Sequence, residues 1–295
     1  MPVHSVRASR SSFDQGRIMN SLFRIQKPSQ ADLDSFHNEG YIFFPDVLKD
    51  QARELLIKEI YAVDSVRQYL DDEEARSDPS REAFGTSYFV RPWNDRGPAG
   101  HQLIDDPFIA ELLQSTIGPA YHFCHSALNL APRGRALTPY HQDHHHWNHD
   151  HPVNHAEREK YYIQILYYPN GFKRGDRNLK VIPGSHRIAP LPDVTPERIL
   201  AGEYDSQLGR KMGELPIEAS PGSMVYLNAR LFHAVEQKPD DSPQPYRLFN
   251  IDVFKQAGPP HRFTQEIPPE WIERADPYRK KLFLRDPYTK GCWTA

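Results

Sequence analysis

The spacing of apolar residues changes near residue 120 and divides the chain into two halves. Before that point the apolar positions recur every three or four residues, as in helices with one buried face. A first helix is predicted to begin after Ser29, whose hydroxyl suits an N-cap, and to end at Gly40. A second helix begins near Lys49, and a third follows Asp106 and ends at Gly118.

Beyond residue 120, short apolar runs alternate with turn residues, which is the pattern of strands. The predicted strands are Tyr41–Phe44, between the first two helices, and Tyr121–Leu130, Tyr161–Tyr168, Leu179–Ile182, Met224–Leu227 and Arg247–Phe254 in the second half. Helices followed by many short strands predict an α+β, mainly β protein whose second half is a β-sandwich or a barrel.

We predict a single domain over residues 29–295, with lid insertions, preceded by a flexible N-terminal arm over residues 1–28. The arm is rich in Ser, Arg and Gln and has no periodicity. Residues 190–216 are interpreted as an insertion between strands that is partly helical from Pro196. In the C-terminal segment, which is rich in Pro and charge, Trp271 and Ile272 are expected to dock a last helix.

Composition and charge exclude several classes of protein. The net charge is −3 and the mean hydropathy is −0.71, which favours neither a nucleic-acid partner nor a membrane surface. No run approaches the roughly 20 apolar residues of a membrane span, and residues 1–10 precede no apolar core of a secretory signal. Cys124 and Cys292 cannot form a disulfide framework, and free thiols favour a cytoplasmic location.

A histidine-rich tract, YHQDHHHWNHDHPVNH, contains the first candidate for chemistry. Most of its histidines are interpreted as a polar loop, but His141 and Asp143 stand two positions apart. On an extended strand their side chains point to the same side and can supply two adjacent metal ligands. The triplet His155-Ala156-Glu157 is an alternative, although it precedes a charged run that is expected to face solvent.

A third ligand and an anion-binding group have candidates farther along the chain. His233 follows a predicted strand, although a histidine there can equally be a packing residue. Two histidines and one carboxylate on one face of Fe(II) leave positions open for a co-substrate and O₂. Arg247 leads into an apolar strand and requires an anionic partner. That partner is either an ordinary Asp or Glu, or the distal carboxylate of 2-oxoglutarate.

Four segments together resemble the phytanoyl-CoA dioxygenase family of Fe(II)/2-oxoglutarate enzymes over roughly residues 30–255. They are DLDSFHNEGYIFFPDVLKDQARELL, TPYHQDHHHW, NLKVIPGSHR and PGSMVYLNARLFHAV with PYRLFNIDVF. The resemblance implies a double-stranded β-helix (jelly-roll, cupin-like) core with flanking N-terminal helices. It also implies His141, Asp143 and His233 as iron ligands, Arg247 as the 2-oxoglutarate anchor, and Fe(II), 2-oxoglutarate and O₂ as cofactors.

The chain departs from the family pattern in two places. The usual acidic-Asn-Gly before the Leu-x-Val-Ile-Pro-Gly-Ser-His turn is here the segment 174–178, Arg-Gly-Asp-Arg-Asn, and the segment that follows to Pro216 is long. Both departures concern the substrate rather than the metal. Halogenating relatives have a small residue at the position of Asp143, so its carboxylate disfavours halogenation.

Further site residues are predicted within the same resemblance. Asn129 and Thr138 are candidates for hydrogen bonds to 2-oxoglutarate. Arg91, Trp147 and His186 are candidates for contacts with substrate, although a surface salt bridge, simple packing and a turn are the respective alternatives.

The resulting functional prediction is a dioxygenase that hydroxylates a small molecule and releases succinate and CO₂. Desaturation, epoxidation and ring closure are variants, and the sequence predicts neither the substrate nor the oligomeric state. One alternative is a metal-dependent cupin-like enzyme that does not use 2-oxoglutarate. Another is a non-catalytic β-sandwich that binds metal through the histidine-rich tract.

Overall fold

Two antiparallel sheets form the centre of the molecule. The computed structural model describes residues 21–72, 88–90, 97–143, 162–188, 193–256 and 265–284. The larger sheet has the strand order β1-β8-β5-β10-β3-β2 and the smaller has the order β4-β9-β6-β7. The strands are β1 Tyr41–Phe44, β2 Tyr88–Val90, β3 Tyr121–Pro132, β4 Thr138–His141, β5 Tyr162–Tyr168, β6 Leu179–Val181, β7 Leu215–Pro216, β8 Ser223–Asn228, β9 His233–Val235 and β10 Tyr246–Gln256.

The space between the sheets is filled by side chains from both of them. Leu166, Val225 and Phe249 of the larger sheet pack with Leu179 and Val181 of the smaller one in a single buried cluster. Because side chains alternate across a strand, the neighbours of these residues face the opposite side. This arrangement of facing antiparallel sheets, with long strands in one and short strands in the other, confirms the predicted jelly-roll core.

Helices cover the outer face of the larger sheet in a second, larger hydrophobic cluster. Among the described residues, five helices precede β3, with β1 and β2 between them: α1 Gln30–Glu39, α2 Asp50–Ala62, α3 Asp64–Asp71, α4 Pro98–Leu103 and α5 Pro107–Ile117. The predicted caps are confirmed. Ser29 and Asp32 form a capping box at α1, Gly40 ends that helix with a positive φ, and the Asp106 carboxylate accepts from the backbone of Phe108 at α5.

The predicted boundary of the N-terminal arm is wrong at its C-terminal side. Leu22 and Phe23 are each 2% exposed, and Phe23 forms a β-bridge with Leu48. The Asp106 carboxylate accepts hydrogen bonds from the Leu22 amide and the Ser21 hydroxyl. The domain therefore includes residues 21–28, because two apolar side chains there complete the core under α5. Residues 1–20 lie outside the described ranges.

The insertion contains both helix and strand. The predicted helix at Pro196 is confirmed as α6 Pro196–Leu200, and α7 Asp205–Leu208 follows it. The insertion ends in β7, which pairs with β6 and so extends the smaller sheet. It therefore contributes the edge strand of the sheet as well as interrupting it.

The C-terminal segment docks onto the helical layer, as predicted. It forms α8 Pro269–Arg274 and α9 Pro277–Leu284. Trp271 is buried, and its ring packs against His101 and Phe283. Within the described ranges, no helix has the length and apolar character needed to cross a membrane. Cys124 is buried on β3, whereas Cys292 lies outside those ranges.

Candidate metal centre

Three predicted ligands meet at one end of the smaller sheet. His141 ends β4 and His233 begins β9, and the two residues are direct partners in the antiparallel pairing of these strands. Asp143 follows β4, where its amide donates to the carbonyl of Ala229 at 3.0 Å. Ligand atoms of the two histidines and the aspartate all lie within 4.8 Å of one another. The structure thus brings together residues that are 90 positions apart in the sequence.

The two imidazoles are oriented by the backbone of their own strands. The Nδ1 of His141 donates to the carbonyl of Pro139 at 2.8 Å, and the Nδ1 of His233 donates to the carbonyl of Leu231 at 2.9 Å. A carbonyl can only accept, so each proton is fixed on Nδ1 and each Nε2 is directed at the site. Such a bond on the remote nitrogen is typical of metal-binding histidines.

The carboxylate of Asp143 lies between the two rings. Its Oδ2 is 3.0 Å from the Nε2 of His233 and 3.9 Å from that of His141. Burial on its own raises the pKa of a carboxyl group, but the contact with His233 outweighs it and keeps the pKa of Asp143 well below its usual range. The same contact raises the pKa of His233 against the effect of its burial.

The amide of Gln164 is a further partner of the carboxylate, and sequence reasoning missed it. Gln164 lies on the inner face of β5, and its side chain hydrogen-bonds Asp143 and helps to lower the pKa of that residue. Its signal in the sequence is a single polar residue inside the apolar run YIQILYY. The amide of Gln142, the residue between His141 and Asp143, donates to the carbonyl of Arg230.

The donor set fits iron in its divalent state. Two neutral imidazoles and one carboxylate, all from one end of a sheet, match the facial ligand set of non-haem Fe(II) oxygenases. A structural zinc site would instead surround the ion with four protein ligands. Within the described part of the chain, no fourth His, Cys, Asp or Glu joins this cluster.

Arg247 occupies a cradle on the inner face of the larger sheet. Its side chain is 1% exposed, and its guanidinium lies 4.7 Å from the ring centre of Phe249 and 5.8 and 5.9 Å from those of Phe172 and Tyr168. Its Nη1 donates to the carbonyl of Arg177 at 2.7 Å. Burial lowers the pKa of Arg247 because it removes water from the charged form.

The guanidinium lacks a bonded carboxylate. No carboxylate of the described ranges forms an ion pair with Arg247, and its Nε has no hydrogen-bond partner there. A buried cation without a bonded anion is costly in a protein that has no ligand for it. Of the two partners predicted for Arg247, an ordinary Asp or Glu is not bonded to it among the described residues. The cradle fits a planar carboxylate from outside the chain.

Asn129 and Thr138 line different walls of the same interior. Asn129 is 1% exposed and pairs with Phe249, so it shares the inner face with Arg247, and its Oδ1 has no partner in the described ranges. Thr138 lies on β4 opposite Val235, three positions before His141, and is half-buried. Their role in binding 2-oxoglutarate remains a prediction.

The structure places His186 behind the site rather than among the three ligands. It belongs to a 3₁₀ turn, and its Nε2 donates to the carbonyl of His37 at 3.3 Å. In the same turn, the hydroxyl of Ser185 accepts from the amide of Phe232, next to His233. The turn therefore supports the strand that holds a ligand. Arg91, Trp147 and the alternative triplet at 155–157 lie outside the described ranges.

The sequence matches a known family over most of its length. The family described as Phytanoyl-CoA dioxygenase (PhyH) matches residues 36–239, which include all three ligands. Ectoine dioxygenase of Halomonas elongata is 26% identical over 178 residues, which cover 57% of this chain and 49% of that enzyme. The match thus spans about half the length of that relative.

Solved structures share the fold at low sequence identity. EctD from S. alaskensis, with 2-oxoglutarate and 5-hydroxyectoine, has a TM-score of 0.58 at 18% identity and covers 89% of this chain and 90% of that chain. The epimerase SnoN, in complex with Fe3+, alpha ketoglutarate and nogalamycin RO, has a TM-score of 0.55 at 16% identity, with 77% and 83% covered. The predicted family and fold are confirmed by these similarities.

Proposed function

The chain belongs to the phytanoyl-CoA dioxygenase family, and we propose that it is an Fe(II)- and 2-oxoglutarate-dependent dioxygenase that hydroxylates a small molecule. In this proposal, succinate and CO₂ are released, and His141, Asp143 and His233 hold the iron. Arg247 binds the distal carboxylate of 2-oxoglutarate.

One observation carries this proposal: the ligand triad and an unbalanced buried guanidinium lie in the same barrel interior. The triad alone fits many metal enzymes, and a buried arginine alone fits many folds. Together they provide two attachment points for a molecule with a metal-chelating group at one end and a carboxylate at the other. 2-Oxoglutarate has this pattern of groups.

The protein residues hold and orient the reactants. Bound iron and 2-oxoglutarate supply the oxidising chemistry with O₂. His141 and His233 present fixed Nε2 atoms, and Gln164 holds the carboxylate of Asp143 in place. The rings of Tyr168 and Phe249 shield Arg247 from water, which strengthens its attraction for a carboxylate.

Hydroxylation is the proposed reaction, and the position of the substrate determines the outcome. The similar structures include an epimerase and a carbocyclase, both named as alpha ketoglutarate dependent, whereas the curated relative is named for ectoine. The same fold therefore supports different reactions. A small organic molecule is the class of substrate that these names support.

Anaerobic titration tests the proposal directly. Adding Fe(II) and 2-oxoglutarate to the protein is expected to produce the visible charge-transfer band of the chelate. Succinate release across a panel of metabolites then identifies the substrate. If the metal is bound and 2-oxoglutarate gives no band, the proposal fails.

Two variants separate the alternatives. Arg247→Ala is expected to abolish activity and weaken 2-oxoglutarate binding, whereas a cupin-like enzyme that does not use 2-oxoglutarate would tolerate it. His233→Ala is expected to abolish tight iron binding. A metal-binding module based on the histidine-rich tract would retain several weakly bound ions in that variant.

A further inference from the structure

A buried ion pair lies next to the Arg247 cradle. The Oδ1 of Asp176 accepts from the Nζ of Lys238 and from the hydroxyl of Ser242, each at 2.5 Å. The Nζ of Lys238 also donates to the Ser242 hydroxyl at 2.8 Å. The side chains of Lys238 and Asp176 are 0% and 5% exposed. The pair is therefore sheltered from solvent and from screening by salt.

This pair is adjacent to the group that binds Arg247. Asp176 directly precedes Arg177, whose carbonyl accepts from Arg247. Arg177 has a φ of 60°, the left-handed conformation, and its side chain donates to the carbonyl of Ala136 at 2.7 Å. These residues fall in the segment where the sequence departs from the family pattern. The departure thus lies beside the predicted anchor.

The charges of the three groups act on one another. Asp176 favours the charged form of Arg247. Burial lowers the pKa of Lys238, and the charge of Arg247 lowers it further. Asp176 therefore lies within electrostatic reach of two buried cations, Lys238 and Arg247. Asp176 can balance either cation, and in the structure it is bonded to Lys238.

We infer that Lys238 and Ser242 hold the carboxylate of Asp176 and thereby keep Arg247 available for the distal carboxylate of 2-oxoglutarate. The inference rests on the proposed function and deepens it, because it names what sets the affinity for the co-substrate. Lys238 and Asp176 are positioning residues in this view. Without Lys238, Asp176 would become an internal competitor for the guanidinium.

The test compares two 2-oxo acids that chelate iron through the same atoms. 2-Oxoglutarate has a distal carboxylate and 2-oxobutyrate has none, so only the first requires Arg247. The Kd of each is measured from the charge-transfer band in anaerobic Fe(II) protein. In Lys238→Met, the Kd for 2-oxoglutarate is expected to rise by about tenfold or more, and the Kd for 2-oxobutyrate is expected to stay unchanged.

Rescue separates competition from damage to the fold. In the double variant Asp176→Asn/Lys238→Met the competing charge is absent, so the Kd for 2-oxoglutarate is expected to return to within about threefold of wild type. Asp176→Asn alone is expected to bind 2-oxoglutarate at least as tightly as wild type. If Lys238→Met is insoluble, Ser242→Ala takes its place, because it removes one hydrogen bond to Asp176. It is expected to raise the Kd for 2-oxoglutarate by about threefold and to leave the Kd for 2-oxobutyrate unchanged.

Three results would overturn the inference. Lys238→Met could bind 2-oxoglutarate as tightly as wild type, or it could bind both 2-oxo acids more weakly by the same factor. Alternatively, the double variant could fail to recover the affinity for 2-oxoglutarate. Absence of a band with either acid in wild-type protein would instead refute the proposed function, so the two failures differ.

Discussion

The two ends of the barrel interior are built in different ways. At the metal end, the imidazoles of His141 and His233 are each fixed by a carbonyl two residues earlier in the same segment. At the anchor end, Arg247 is held by the carbonyl of Arg177, which is 70 positions away, by the ring of Tyr168 on β5 and by that of Phe249 on its own strand. The first end depends on local backbone geometry, and the second depends on the assembled fold.

This difference has an energetic side. The metal end has an internal partner for its carboxylate, because the Nε2 of His233 lies 3.0 Å from the Oδ2 of Asp143 and this contact raises the pKa of His233. The anchor end has no such partner, and Arg247 remains a buried cation without a bonded anion among the described residues. We therefore expect replacement of a metal-end ligand to lower the affinity for Fe(II). Replacement of Arg247 is expected to lower the affinity for 2-oxoglutarate and to raise the free energy of unfolding.

The largest effect is expected at the metal end, from loss of one ligand. His233→Ala is expected to weaken Fe(II) binding by at least about 100-fold, since loss of even an outer partner of a ligand costs about 10–100-fold. His155→Ala, from the alternative triplet, is the matched control and should bind iron like wild type. Anaerobic titration of both variants measures this. Equal losses would show that the triad is not the binding site.

Features that depend on nearby residues were predicted well from the sequence, for a physical reason. Caps such as Ser29 and Asp106 and the alternating strands are specified by nearby residues, and the spacing of His141 and Asp143 follows from the period of a strand. The burial of Leu22 and Phe23 was missed because it depends on a pocket formed by distant elements. The prediction that Arg247 anchors 2-oxoglutarate came from the family resemblance.

The ion pair beside Arg247 could not be predicted in the same way. Asp176 and Lys238 are 62 positions apart, and each is surrounded in the sequence by other polar residues. No period or cap distinguishes them from solvated charges. Their pairing follows from the way in which the turn before β6 meets the loop after β9. Such a contact is a property of the tertiary structure alone.

The next effect concerns the turn behind the metal end and depends on pH. Burial lowers the pKa of His186 to about 4 from its ordinary 6.5. Between pH 6.5 and 4 the unfolded chain binds this proton and the native state does not, so stability falls as pH drops. His186→Gln keeps a donor for the carbonyl of His37 and should remove about 2 kcal/mol of that loss.

Urea unfolding of wild type and His186→Gln at pH 7 and pH 4.5 measures this effect. The variant is expected to lose less stability between the two pH values. His37→Gln, on the neighbouring helix, serves as the comparison because it retains the carbonyl to which His186 donates. An identical pH dependence in His186→Gln and wild type would contradict the prediction.

A smaller effect is expected from the amide that holds the metal-binding carboxylate. Gln164→Leu removes the hydrogen bond to Asp143 and is expected to weaken Fe(II) binding by about tenfold. Gln244→Leu, which removes an amide bonded to Asn170, is the control and should leave the metal affinity unchanged. The Fe(II) affinities come from the same anaerobic titration. Unchanged binding in Gln164→Leu would mean that the backbone alone orients Asp143.

The smallest predicted effect has the opposite sign and comes from the anchor end. Arg247→Met replaces a buried cation by an apolar side chain of similar length, and the surrounding rings of Tyr168, Phe172 and Phe249 suit it. Relief of the desolvation cost opposes the loss of one hydrogen bond to the carbonyl of Arg177. The expected net result is a gain of about 1 kcal/mol in the free energy of unfolding.

Urea unfolding of metal-free wild type and Arg247→Met tests this gain. A loss of stability in Arg247→Met would mean that the guanidinium is already balanced in the absence of a ligand. In that case the anchor end would resemble the metal end, where an internal partner takes the place of the missing ion. A gain would show that the protein keeps an unfavourable charge in its interior, as expected if Arg247 has the proposed role of binding a dicarboxylate.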